Sequence, residues 1–230
     1  VDSDSGRIIH QENANEIRYP ASLTKMMTVY LAFEQLKAGN WHMNDNLRVS
    51  AYAASMPKTN LSLYPGQPIT VREAILGIIV HSANDAAVVL AENIGGNEDR
   101  FAELMTRRAR QLGMKSTHFV NASGLHDPNQ VTTAKDMALL GIALKRHFSD
   151  YYYLFSRTYF TFDGRTYNGH NRVTRDYEGA DGLKTGYVRA SGFNLVTSAK
   201  RSEGSLIGVV MGGRSAATRD QRMKDMLDAS

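Results

Sequence analysis

The spacing of apolar and polar positions changes several times along this chain, and each change marks an element. Residues 6–11 and 16–19 read as short strands around the polar turn Glu12-Asn13-Ala14-Asn15, which predicts a hairpin at the start. Beyond Pro20 the run Met26, Met27, Val29, Tyr30, Leu31, Ala32, Phe33 and Leu36 closes at Gly39. This predicts a helix over 22–38 that is apolar on most sides and therefore buried. Residues 41–67 show no period and are broken by Pro57, Pro65 and Gly66, as surface loops and short turns are.

A helical period then sets in. Thr70 and Glu73 form a capping-box pattern that opens a helix through Val80. The next helix begins near Asn84 or Asp85 and runs to Asn93, ended by Gly95-Gly96. Asn97 caps a third, with Phe101, Leu104, Met105 and Leu112 on one face and Gly113 as its stop. Thr133 caps a fourth, with Met137, Leu140 and Leu144 inward. Toward the end the pattern returns to strands. Residues 158–162 and 165–167 flank Asp163-Gly164 as a hairpin, and residues 192–199 and 205–211 are two strands joined by a turn at 201–204. A last helix spans about 217–227. Strands at both ends with helices between predict one discontinuous α/β domain over 1–230. Residues 1–50 and 150–230 make its α/β sublobe, and 51–149 an inserted, mostly helical lobe.

Composition narrows the chemistry. The chain has 230 residues, 42% hydrophobic and 22% charged, which is ordinary for a globular protein with a sizeable core. It has no cysteine, which excludes disulfides, thiol catalysis and Cys-ligated metals. The net charge of +4 is spread along the chain, so no basic block points to nucleic acid. No stretch is long and apolar enough for a membrane span. No leader is visible at residues 1–4, which says nothing about export. The seven histidines, His10, His42, His81, His118, His126, His147 and His170, lack metal-ligand spacing, so neither metal nor cofactor is expected.

Three short motifs carry candidate chemistry. Ser22 sits at the first turn of the predicted helix, where free N–H groups and the positive dipole end favour negative charge. Lys25, three residues on, shares its face. A serine beside an amine at the start of a buried helix has the makings of an activated nucleophile. On its own the pair also reads as an ordinary N-cap with a solvated lysine, and a second stretch, Ser55-Met56-Pro57-Lys58, repeats the spacing without the helix. Ser82-Ala83-Asn84 lies between two predicted helices. Extended backbone there would point Ser82 and Asn84 into one cleft, and a helix cap followed by a polar turn is the alternative. Lys184-Thr185-Gly186 stands just before the strand at 192–199. Gly186 would let another backbone approach the strand edge, and a solvated strand end is the alternative.

The order Ser-x-x-Lys, Ser-x-Asn, Lys-Thr-Gly is the signature of penicillin-binding proteins and serine β-lactamases. The stretches 19–28 (YPASLTKMMT), 81–86 (HSANDA), 121–125 (NASGL) and 181–186 (DGLKTG) closely resemble the low-molecular-mass penicillin-binding proteins, the D-alanyl-D-alanine carboxypeptidases. The resemblance runs from the first predicted hairpin to about Leu227. It implies a β-lactamase/transpeptidase-like fold, with an antiparallel sheet from N- and C-terminal strands flanked by helices. It also implies a substrate, the peptidoglycan stem peptide ending in D-Ala-D-Ala, with β-lactams as inhibitors, and a place outside the cytoplasm.

Roles follow from the same resemblance. Ser22 attacks the penultimate carbonyl, and Lys25 is the base once burial and a neighbouring cation lower its pKa. Lys184 is that cation. Ser82 relays the proton to the leaving nitrogen, and Asn84 holds the substrate amide and orients Lys25. The N–H groups of Ser22 and Tyr187 form the oxyanion hole, while Gly186 leaves room for substrate. Thr185 and Lys184 meet the terminal carboxylate, as does Arg219, with Arg214 next in line. Some features depart from the broader pattern. Ala83 replaces the Asp of Ser-Asp-Asn β-lactamases, no Glu-x-x-Leu-Asn stretch supplies a deacylating base, and Tyr187 stands where some members have His. Related chains often continue into a β-rich domain and an amphipathic anchor, so membrane association is expected only through a segment outside this sequence. Cleavage of cross-linked peptide by a D,D-endopeptidase is the alternative activity. A β-lactamase and a non-catalytic penicillin-binding protein fit less well.

Overall fold

The computed structural model describes residues 1–230. The buried helix begins as a 3-10 turn, Ala21–Thr24, and continues as α1, Lys25–Lys37. Its apolar run does what the pattern requires: Met26, Met27 and Phe33 are fully buried, each worth about 1.5–3 kcal/mol on removal from water. Short elements follow, β1 (Asn46–Leu47), α2 (Ala51–Ala54) and β2 (Ile69–Thr70), β1 pairing with β2 antiparallel. Thr70 then starts α3 (Val71–His81) with both bonds of the capping box, Glu73 N to Thr70 Oγ1 and Thr70 N to Glu73 Oε1. After α3 come α4 (Asn84–Gly95), α5 (Glu98–Gln111) and α6 (Ala134–His147). Asn97 and Thr133 cap α5 and α6 through their side chains, as their positions predict.

A second 3-10 turn, Tyr152–Ser156, leads to the hairpin β3 (Tyr159–Phe162) and β4 (Arg165–Asn168), and a short α7 spans Arg172–Asp176. Then comes the main sheet, β5 (Ala180–Val188), β6 (Gly192–Arg201) and β7 (Gly204–Gly213), antiparallel in that order. The last helix, α8, spans Ala216–Asp228. Helices cover the sheet on both faces. On one side Gly141 of α6 lies against Ile207 and Leu183, so close that a Cβ there would sit 3.1 Å from Ile207. On the other, Met223 and Leu227 of α8 pack with Leu195, Ala199 and Leu206. The main apolar core lies between α1, α3, α4 and α6, and α6 joins it to the sheet although it belongs to the helical stretch in sequence. No helix is long and apolar enough to cross a membrane.

Two expectations need correction. The hairpin at residues 1–19 does not form. Its strand-like pairings are two isolated bridges, Asp2 to Leu206 and Arg18 to Thr132, with Val1 and Ser3 bonded to Ile207 and Ser205 along the β7 edge. Residues 6–14 stand off from β7 across a groove of about 390 Å³, so their backbone has no strand to pair with, and Ile8 and Ile9 stay exposed. The second correction is β5. Residues 180–188 were expected only as the approach to a strand, yet they form one, and it is the free edge of the sheet. Glycines at 182 and 186 and a lysine at 184 hide its alternation.

Candidate active site

Ala21 adopts a left-handed conformation, φ 50°, just before Ser22, and its carbonyl presses on Gly124. Only a glycine fits there: its φ is 87°, and a Cβ would collide with Ala21 O. This turn sets Ser22 at the head of α1. Ser82 is left-handed too, φ 56° and ψ 39°, where extended backbone was expected, because it ends α3. Strained residues of this kind persist where surrounding structure over-determines them, as at functional sites. Two of the five positive-φ non-glycine residues, Ala21 and Ser82, are here.

Lys25 is fully buried, so the solvated reading of it falls. Its Nζ lies 2.9 Å from Ser22 Oγ, 2.8 Å from Asn84 Oδ1 and 2.7 Å from Ser123 O. Burial first, and the Lys184 cation second, hold the amine well below the ordinary lysine value, while Asp85 pulls the other way. A neutral amine has two hydrogens and one lone pair. Asn84 Oδ1 and Ser123 O can only accept, so they take the hydrogens. The lone pair is left for the Ser22 hydroxyl, which then donates to Nζ. The Asn84 amide is fixed in turn, since its Nδ2 donates to Pro57 O at 2.9 Å.

The third motif reaches in from the sheet. Lys184, mid-strand in β5 and 3% exposed, donates to Ser82 Oγ at 3.1 Å and to Thr185 O at 2.8 Å. Burial, then the nearby Arg219, push its pKa down to about 7. Gly186 packs onto the nucleophile's turn: a Cβ there would sit 3.0 Å from the N–H nitrogens of Ser22 and Leu23. Ser22, Lys25 and Asn84 are thus joined by hydrogen bonds, and Lys184 and Ser82 form a second pair whose cation acts on Lys25. Any side chain at 186 would shut the gap between the sheet edge and α1.

The family model for D-alanyl-D-alanine carboxypeptidases matches residues 1–215. The chain belongs to this family. It is 36% identical to the D-alanyl-D-alanine carboxypeptidase DacF of Bacillus subtilis, over 99% of the chain and 60% of that relative. Penicillin binding protein 5 of Haemophilus influenzae has a solved structure that superposes with a TM-score of 0.95 at 37% identity, over 99% of this chain and 68% of that one. Penicillin-binding protein D2 of Listeria monocytogenes, solved in an ampicillin-bound form, superposes with a TM-score of 0.85 at 28% identity, over 99% of this chain and 93% of that one. The fold is therefore that of penicillin-binding proteins. The chain spans about three fifths of the length of the curated relative.

Thr185 is half-buried, and Tyr187 is 52% exposed and stacked on Phe193 at 4.3 Å. Arg219, on the first turn of α8, is buried and bonded to Asp220 Oδ1 through Nε at 2.9 Å, and its charge is felt by Lys184. Arg214 is exposed on the preceding loop. His170 is exposed, yet desolvation and the Lys184 cation lower its pKa, and its ring lies 5.9 Å from His81. No group of three or more potential metal ligands gathers anywhere. Sequence reasoning missed two participants: the Ser123 carbonyl and Pro57 O, both backbone atoms. The stretch 121–125 was a usable signal for the first.

Proposed function

We propose that this chain is the catalytic domain of a serine D,D-carboxypeptidase that removes the terminal D-Ala from peptidoglycan stem pentapeptides. The observation that carries the reading is the Lys25 amine, buried, its pKa pushed well below the ordinary lysine value by burial and by Lys184, and 2.9 Å from Ser22 Oγ. As Ser22 Oγ bonds to the penultimate carbonyl carbon, its proton passes to Lys25 Nζ. The N–H groups of Ser22 and Tyr187 receive the developing oxyanion. The C–N bond then breaks, and the departing D-Ala nitrogen takes a proton by way of Ser82. Water hydrolyses the acyl-enzyme, with Lys25 again taking a proton. Lys184, Thr185 and Arg219 hold the terminal carboxylate, and Asn84 the substrate amide. A β-lactam enters by the same acylation, but its opened ring stays tethered, and the sequence offers no Glu-x-x-Leu-Asn base to clear it.

In this reading residues 1–230 are one catalytic domain with the sublobes 1–50 plus 150–230 and 51–149, no metal or cofactor takes part, and the enzyme works outside the cytoplasm on the bacterial wall. Any membrane association comes through chain outside this sequence. The test is to incubate the protein with a pentapeptide ending in D-Ala-D-Ala, a cross-linked dimer and a penicillin in parallel. Release of D-Ala from the first, with slow clearance of the third, is expected. Cleavage of the dimer alone would make it an endopeptidase, rapid penicillin turnover a β-lactamase, and failure to process either peptide or penicillin a non-catalytic protein.

A further inference from the structure

Asp85 follows Asn84 on the first turn of α4 and is fully buried. No cation pairs with it. Its oxygens accept only backbone N–H groups: both from Leu61 at 3.0 Å, one from Leu63 at 3.1 Å and one from its neighbour Ala86 at 2.9 Å. Leu61 and Leu63 belong to the loop 57–63, whose near end is held by the second motif. There Asn84 N donates to Thr59 O at 2.8 Å, Asn84 Nδ2 to Pro57 O at 2.9 Å, and Thr59 Oγ1 to Ser82 O at 3.0 Å. Pro57 O can only accept, so its position dictates that Asn84 turns its amide nitrogen to the loop and its oxygen to Lys25.

A carboxylate this buried is costly, and burial raises its pKa against the pull of those N–H groups. We infer that Asp85 is a positioning residue for Lys25: it clamps residues 61 and 63, and so holds Pro57 O where it fixes the Asn84 amide against the amine. Asp85 also acts by its charge. The charged groups that act on Lys25 are Lys184 from β5, which lowers its pKa, and Asp85 from α4, which raises it. Lys184 in turn faces Arg219 of α8, and His170 beyond β4 senses Lys184. The inference rests on the reading of Ser22 and Lys25 as the acylating pair.

The test follows acylation of the full chain by a fluorescent penicillin against pH, in the wild type, Asp85→Asn, Asn84→Ala and the double variant. Asp85→Asn keeps the size, loses the charge and loses one acceptor oxygen. It is expected to slow acylation roughly tenfold to a hundredfold, as sub-ångström to ångström misplacement of a reacting group does. The acid limb moves to lower pH, because the anion that raised the Lys25 pKa is gone. In the Asn84→Ala background the same change costs about twofold or less, because the route through Asn84 is already cut. An unmoved limb with a rate near wild type, or equal slowing in both backgrounds, overturns the inference. Should Asp85→Asn not fold, Thr59→Val reports on the same loop from its exposed side. It is expected to slow acylation about two- to tenfold, and an unchanged rate overturns the inference. A wild type that never labels removes the parent reading and this one with it, whereas a labelling wild type beside an indifferent Asp85→Asn removes only this one.

Discussion

Two Ser-x-x-Lys stretches occur in this chain, and their surroundings are opposite. Ser22 and Lys25 span a 3-10 turn and the head of a buried helix, with the amine sealed from water and bonded to Ser22, Asn84 and Ser123. Ser55 and Lys58 lie just past a helix of four residues, both exposed, and Ser55 Oγ donates to its own turn at Tyr52 O. Spacing is the same, yet Pro57 breaks the second stretch and leaves Lys58 in solvent. Reactivity is thus conferred by what encloses the amine. Lys58 lacks the burial that Lys25 has.

The sharpest test of that contrast removes the hydroxyls. Ser22→Ala is expected to abolish labelling by a fluorescent penicillin, and Ser55→Ala to leave it at the wild-type level. Peptide mapping that put the adduct on Ser55 would reverse the comparison. Next come the amines. Lys25→Arg keeps the charge but offers no base near neutral pH, so acylation should fall by about 10²–10⁴, the usual span of general base catalysis. Lys58→Arg should change nothing measurable in the same labelling assay. A Lys25→Arg protein within about tenfold of wild type would mean that another group takes the proton.

Smaller effects sharpen the environment. Arg219→Gln should slow turnover of a pentapeptide roughly ten- to hundredfold more than turnover of the same peptide amidated at its C-terminus, the worth of a hydrogen bond to a charged group, ~1.5–3 kcal/mol. Equal losses on both peptides would assign Arg219 to the fold through Asp220. Smallest is a change of pH dependence. Lys184 lowers the Lys25 pKa, so its loss in Lys184→Gln raises that pKa again. The acid limb of acylation should move to higher pH, read from rates at a series of buffers, while Lys58→Gln leaves the limb in place. A limb unmoved by Lys184→Gln would leave burial as the sole cause.

Much of the fold could be read in advance because its signals are local. Thr70, Asn97 and Thr133 cap helices where their side chains and spacing say they should. Strands β6 and β7 carry enough apolar residues to declare themselves. What escaped depends on partners distant in sequence. β5 is a strand because β6 lies beside it, and its Lys184 points into a site built by α1 and α3–α4. Ile8 and Ile9 looked like strand residues, but nothing pairs with them. The same holds at the site. The residues of the motifs were legible, and they lie together. The left-handed turns at Ala21 and Ser82, and the Ser123 and Pro57 carbonyls that aim the amine and the amide, are backbone features that side-chain spacing does not encode.

Keeping Lys25 and Lys184 buried makes folding of this chain a proton-releasing reaction. Both amines hold their protons less tightly folded than unfolded, where lysine titrates near 10.5. Between the folded and unfolded values the unfolded chain binds more protons, so stability rises with pH there and is lost as pH falls through the folded values, about 7 for Lys184. Going from alkaline toward neutral pH therefore loosens the whole fold by way of its reactive centre. Calorimetric unfolding in two buffers of different ionisation enthalpy should show proton uptake on unfolding at pH 8. A variant with Lys184→Gln should take up fewer.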